Sequence, residues 1–170
     1  LAREVLAFQG ELLDRLAEGG PPAVRAWLRE FPLDGNAVRA IARTYDEQVA
    51  YAGTESVPTP SRLVVEEELD RAEYKRRFYV HSNYGRRFND GLSRLVAAAV
   101  ADRTDANVAV AVADRGFSLA LPLNRKVDVA AILRGLDPAT VRADLREAGR
   151  GTHLHQRHFR IGAARSLLLL

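Results

Sequence analysis

At 170 residues with 47% hydrophobic side chains, the sequence is long enough for a real core and too apolar for a disordered chain. It has no cysteine, which excludes a disulfide framework, a thiol nucleophile and a cysteine-ligated zinc site. The net charge of +3 hides an asymmetry: residues 1–70 carry 7 basic side chains against 13 acids, and residues 71–170 carry 18 against 9. A basic half of this kind is the electrostatic footprint of a face for nucleic acid or another polyanion, while 23 Arg to 2 Lys also fits a compositional bias toward arginine.

The first third reads as three short helices. Leu1, Val5, Phe8, Leu12 and Leu16 recur at three- and four-residue steps, which marks one buried stripe. Gly19-Gly20-Pro21-Pro22 breaks that helix and opens the next, whose apolar face is Val24, Trp27, Leu28 and Phe31. Asp34 is placed to cap a third helix carrying Val38, Ile41, Tyr45 and Val49. Residues 1–53 are therefore expected to form a helical lobe, and the Gly/Pro/Ser/Thr-rich residues 54–61 a linker.

Beyond the linker the period switches to two. Leu63-Val64-Val65 leads one strand and Phe78-Tyr79-Val80 ends another, with Asp70 to Glu73 as the turn. Pairing about that turn sets Glu66 opposite Arg77, Glu67 opposite Arg76 and Glu68 opposite Lys75, so the run Lys75-Arg76-Arg77 is expected to be neutralised by its neighbour. A helix over about 84–103 follows, with Phe88, Leu92, Leu95, Val96 and Ala99 inward and Ser82 or Asn83 as its cap. A second hairpin alternates Val108, Val110 and Val112 with alanines, turns at Asp114-Arg115-Gly116 and returns through Phe117, Leu119 and Leu121. The alanine face suggests close packing by a helix. Three helices finish the chain, near 127–135, from Asp137-Pro138, and after Gly151-Thr152. The expected class is α+β, a three-helix lobe followed by a small sheet of two β-hairpins covered by helices over residues 62–170.

Little in the sequence supports catalysis. A nucleotide-hydrolysing loop needs a lysine after a glycine, and neither Lys75 nor Lys126 follows one. Asp46-Glu47 is similar to a magnesium-holding acidic box, yet it lies within an amphipathic helix where Glu47 is spaced to pair with Arg43. His155 and His158 are three apart and could share a metal. His153 points elsewhere on a helix and no carboxylate is near in sequence, so an exposed polar first turn is the preferred reading over a small metal-dependent hydrolase. No apolar run, the closing Leu167 to Leu170 included, is long enough to cross a membrane, and a cytoplasmic location is the default expectation. The chain opens on Leu1 inside a helical pattern and closes on four leucines, and is read as a segment of a longer protein.

The most informative stretch is residues 81–95, where a strand end, a polar turn and a helix start meet. Arg86 and Arg87 fall in the first helical turn, where the helix dipole disfavours cations. Asp90 is spaced to meet Arg86, Arg87 and Arg94, but one carboxylate cannot neutralise three guanidinium groups. Such an arrangement suits a partner anion. Arg157, Arg160 and Arg165 add charge over an arc of roughly 140° on the last helix.

HSNYGRRFNDGLSRLVAAAV at 81–100, with the closing FRIGAARSLLL, resembles the C-terminal part of the core of Lhr-type (large helicase-related) proteins, the superfamily 2 ATP-dependent DNA helicases of archaea and bacteria. The resemblance extends in order through the opening helices, VPTPSRLVVEE and the valine hairpin ending in FSLALP. The triple histidine departs from the family pattern. The resemblance implies His81, Gly85, Arg86, Arg87, Asn89 and Arg165 as motif positions. It also implies RecA-like motor domains and a winged-helix domain elsewhere in the parent, carrying ATP and magnesium, with no cofactor on this segment. Together these yield an expected non-catalytic accessory module that packs on the motor and faces single-stranded DNA or a DNA/RNA hybrid. Arg86, Arg87, Asn89 and Arg94 are expected on backbone phosphate, with Arg160 and Arg165 in support. The alternative is a purely structural packing module.

Overall fold

The computed structural model describes residues 2–150. Helix α1 runs Ala2–Leu28 but is broken where the sequence placed the break, because Gly19 and Gly20 leave helical geometry and Gly20 takes φ 63°. Helix α2, Gly35–Ala52, begins at Asp34, whose carboxylate accepts from the Asn36 and Ala37 N–H groups at 2.7 and 2.8 Å. Those two N–H groups hold the Asp34 carboxyl below its ordinary range. Leu12, Val24, Trp27, Leu28, Val38 and Ala42 form the core of this lobe, and Phe8, Trp27 and Phe31 stack around it with centroids 5.0–5.8 Å apart.

The expected linker is an ordered strap. A 3-10 turn at Thr54–Ser56 and a bridge between Thr59 and Arg62 give it shape, and the Arg62 guanidinium donates to the carbonyls of Val57 and Thr54 at 3.1 and 2.8 Å.

Four strands follow: β1 Val64–Asp70, β2 Lys75–His81, β3 Ala109–Ala113 and β4 Gly116–Pro122. They form one antiparallel sheet in the order β1-β2-β4-β3, so the two hairpins join through their second strands. Helix α3, Arg86–Thr104, and helix α4, Val129–Arg134, pack on the face built by Phe78, Val80, Phe117, Leu119 and Leu121. Helix α5, Val141–Arg150, lies against α3. The chain is therefore α+β, as expected.

Several local expectations are corrected. The first hairpin turns one residue later, at 71–74, because the Asp70 carboxylate accepts from the Glu73 N–H at 3.0 Å and Tyr74 takes φ 54°. Glu66 thus faces Tyr79, Glu67 faces Phe78 and Glu68 faces Arg77. The shift of two leaves each side chain on its expected face. The neutralisation survives: Arg76 pairs with Glu67 across a diagonal, Arg77 meets Asp70 at 3.1 Å and Glu73 at 2.7 Å, and Lys75 meets Glu73 at 2.8 Å. The Lys75 hydrogen bond, reinforced by the charges of Lys75 and Arg77, depresses the pKa of Glu73. Ala109, Ala111 and Ala113 are exposed, and α3 lies on the valine side of β3. Phe88 points outward, 47% exposed, because Asn89 takes the inward position in the first turn of α3. The third closing helix expected after Gly151 lies outside the described residues.

Gly116 pairs with His81 where the sheet meets the 81–95 segment, and a Cβ there would fall on the Val80 carbonyl oxygen. Gly116→Ala is expected to destabilise the fold by about 1–3 kcal/mol through forced backbone displacement. Urea unfolding of the purified variant checks this; a midpoint equal to wild type would show that the strands tolerate the shift.

Candidate nucleic-acid interface

The tight turn between β3 and β4 leaves backbone carbonyls aimed away from the sheet, and the segment after β2 satisfies them. The Arg115 carbonyl accepts from the Ser82 and Asn83 N–H groups at 3.0 and 3.1 Å, and the Asp114 carbonyl from the Gly85 N–H at 3.1 Å. Asn89, fully buried, completes the set: its amide donates to the carbonyls of Ala113 and Asp114 at 2.8 and 3.1 Å, while its oxygen accepts from the Ser82 hydroxyl.

These bonds decide where the expected site residues fall. Gly85, at φ 88° and ψ 160°, is the residue before α3, in a backbone region essentially reserved for glycine. No side chain caps the helix, so Ser82 and Asn83 are not the caps. Ser82 instead bonds Asn89, and Asn83 reaches the helical lobe, donating to the Gln9 side chain at 2.8 Å. Arg86 and Arg87 are exposed at the tip, and neither makes an ion pair or side-chain hydrogen bond among the described residues. Asp90 has chosen Arg94, at 3.0 and 3.2 Å, which leaves Arg94 partly neutralised. Asn89 is removed from the expected phosphate contacts, since a side chain without exposed surface cannot touch a strand. Arg160, Arg165, His155 and His158 lie outside the described residues. Among the described residues no three metal-ligating side chains converge.

His81 and Gly85 line a cleft of about 700 Å³ between the two lobes. Gln9 and Tyr45, hydrogen-bonded at 3.1 Å, contribute from the helical lobe, and Asp114 and Arg115 from the β3–β4 turn. His81 Nε2 lies 3.4 Å from Glu66 without a hydrogen bond. The sequence reading missed Gln9, Arg115 and the lobe contact, because a bond between residues 9 and 83 leaves no local pattern. It also missed the aromatic pair Tyr84 and Phe88, with centroids 4.9 Å apart, although their four-residue spacing was visible.

Residues 57–170 match the DEAD/H associated family. The chain belongs to that family. It is 32% identical over its whole length to the ATP-dependent helicase Lhr-Core protein 2 of Thermococcus barophilus, and 28% identical over 99% of its length to the ATP-dependent helicase Lhr-Core of Sulfolobus acidocaldarius. It spans 19% of each of those proteins. The structure of Mycobacterium smegmatis helicase Lhr bound to ssDNA and AMP-PNP superposes with a TM-score of 0.74 at 26% identity, covering 98% of this chain and 20% of that one. The chain is thus a DEAD/H associated region of the Lhr-type superfamily 2 helicase core, as the resemblance implied.

The carbonyl cluster supplies a direct test of what orients this DEAD/H associated segment. Asn89→Ala removes the bonds to the Ala113 and Asp114 carbonyls and leaves the buried Ser82 hydroxyl without its acceptor, and is expected to cost about 1–3 kcal/mol. Asn89→Asp keeps the shape but turns a carboxylate toward two carbonyl oxygens, and is expected to cost more. Thermal unfolding of both variants measures the order; equal stability of the aspartate variant and wild type would contradict the assignment.

Proposed function

We propose that this region is a non-catalytic, single-strand-facing accessory part of an Lhr-type ATP-dependent helicase, packing on the motor domains while its exposed arginines guide backbone phosphate. The observation that carries this reading is the tip of α3, where Arg86 and Arg87 lie without a carboxylate partner among the described residues, on a base held rigid by buried hydrogen bonds. The tip also lies beside an open interlobe cleft. Arg94, already shared with Asp90, and Arg115, in the cleft, would add weaker attraction. Arg160 and Arg165 are proposed to extend the face. The similar Mycobacterium smegmatis helicase was solved with single-stranded DNA, which supports a nucleic-acid partner for this chain. A DNA/RNA hybrid would engage the same phosphates.

ATP and magnesium are assigned to RecA-like domains of the parent rather than to this chain, and strand separation to those domains with the winged helix. The residues present do not suit a nucleotide triphosphate: Lys75 is engaged by Glu73 at 2.8 Å, and Lys126 lies in the loop before α4 rather than in a glycine-rich turn. Its work would be positional, through phosphate contacts that fix register without reading sequence. A cytoplasmic setting accords with this role.

Charge reversal at both arginines, Arg86→Glu with Arg87→Glu, is the test. Fluorescence anisotropy with a labelled single strand across a salt series should show weaker binding and a log–log salt slope smaller by about 2. Unchanged binding together with lost docking to the motor half would assign the arginines to a protein interface instead.

A further inference from the structure

Resting on the reading above, we infer that Phe88, backed by Tyr84, is a stacking platform for an unpaired nucleobase, so that this face selects single strands over duplex. Phe88 is a large ring with nearly half its surface open to solvent, although one turn further on α3 buries Leu92, Leu95 and Val96. Its outward position is enforced. Asn89 occupies the inward slot of the first turn and is held there by the carbonyls of the β3–β4 turn. The ring is also braced. Tyr84 lies beside it at a centroid distance of 4.9 Å and an interplanar angle of 47°, and the Tyr84 hydroxyl donates to the Pro60 carbonyl at 3.3 Å. The strap therefore fixes the rear ring, which in turn restricts the front one.

Charge adjoins this aromatic pair along the chain. Arg86 and Arg87 occupy the two positions before Phe88, unneutralised among the described residues. Surfaces that hold single strands combine cations that track the backbone with aromatic faces on which bases stack, and every base has a π-face to offer. A phenylalanine has no hydrogen-bonding group, so the platform would tolerate any base. In a duplex the base faces are already stacked and leave nothing for Phe88 to cover. The arginines would attract both forms, and the ring would discriminate between them.

The experiment compares three ligands of equal length on the intact chain: a single strand, the same strand with its central bases replaced by abasic sites, and a duplex. Wild type should bind the intact strand on the order of tenfold more tightly than the abasic one. Phe88→Ala and Phe88→Leu should both lose that factor on the intact strand, leave the abasic strand and the duplex unaffected, and keep the salt slope. Phe88→Trp should restore the preference. Leucine keeps apolar bulk at an exposed position, so its failure to rescue would isolate the aromatic face from a folding effect. Wild-type behaviour of the alanine and leucine variants on both strands, while the Arg86/Arg87 reversal still loses binding, would overturn the platform and leave the phosphate face standing. Equal losses on intact and abasic strands would also overturn it, since the ring would then only shape the helix tip. If wild type binds none of the three ligands, the nucleic-acid reading falls and the platform with it.

Discussion

The β3–β4 turn presents a set of backbone carbonyls that must be satisfied, and the rest of the basic domain is arranged around meeting that demand. Three backbone N–H groups from Ser82, Asn83 and Gly85 and the side-chain amide of Asn89 converge on the carbonyls of Ala113, Asp114 and Arg115. The bonds converge on three consecutive residues and centre on the fully buried Asn89, so these contacts act together. They weld one hairpin end, the loop after β2 and the first turn of α3 into one unit. Gly85 and Gly116 serve the same unit, one by reaching a backbone region closed to other residues and the other by letting β4 lie against the Val80 carbonyl. The exposed arginines owe their fixed position to side chains that never meet solvent.

Net charge alone does not distinguish paired from unpaired cations. The densest basic run, Lys75 to Arg77, is occupied by Glu67, Asp70 and Glu73 on its own hairpin. These pairs, in which Arg76, Arg77 and Asp70 are partly buried, cancel the local field of the run. The two arginines at the tip of α3 are fewer and yet electrostatically more available, because the acid nearest them in sequence, Asp90, is engaged by Arg94. Which cations remain uncompensated depends on pairing, which composition cannot report.

Periodicity made most of the architecture legible. Apolar steps of three and four located the helices on either side of Gly19-Gly20, and alternation located both hairpins, although the helix packs on the valine face of β3 rather than on its alanine face. What escaped the sequence were the features set by tertiary contact. The first register moved because Asp70 accepts from the Glu73 N–H, which favours a turn one residue later. Asn89 was expected on phosphate as a motif position that the resemblance implied, and no local pattern reports that it is buried. Its burial follows from the β3–β4 turn, 24 and 25 residues away along the chain. Phe88 was expected inward from the apolar period of α3, but the helix has a single inward slot there, and the amide of Asn89 fills it. Of the candidate site, the segment 81–95 was legible, whereas the lobe contact through Gln9 and the contribution of Arg115 were not.

The central claim is that the strand-facing surface is the tip of α3 and its cleft, supported on an interior that does not itself touch the ligand. Amide chemical-shift mapping of isotope-labelled chain, titrated with a short single-stranded oligonucleotide at low salt, reads this residue by residue. The account expects progressive shifts clustered at residues 84–88 and around Arg115, with the β1–β2 hairpin tip unmoved. Shifts confined to the basic run at 75–77 or to the exposed alanine face of β3, with residues 84–88 silent, would contradict it.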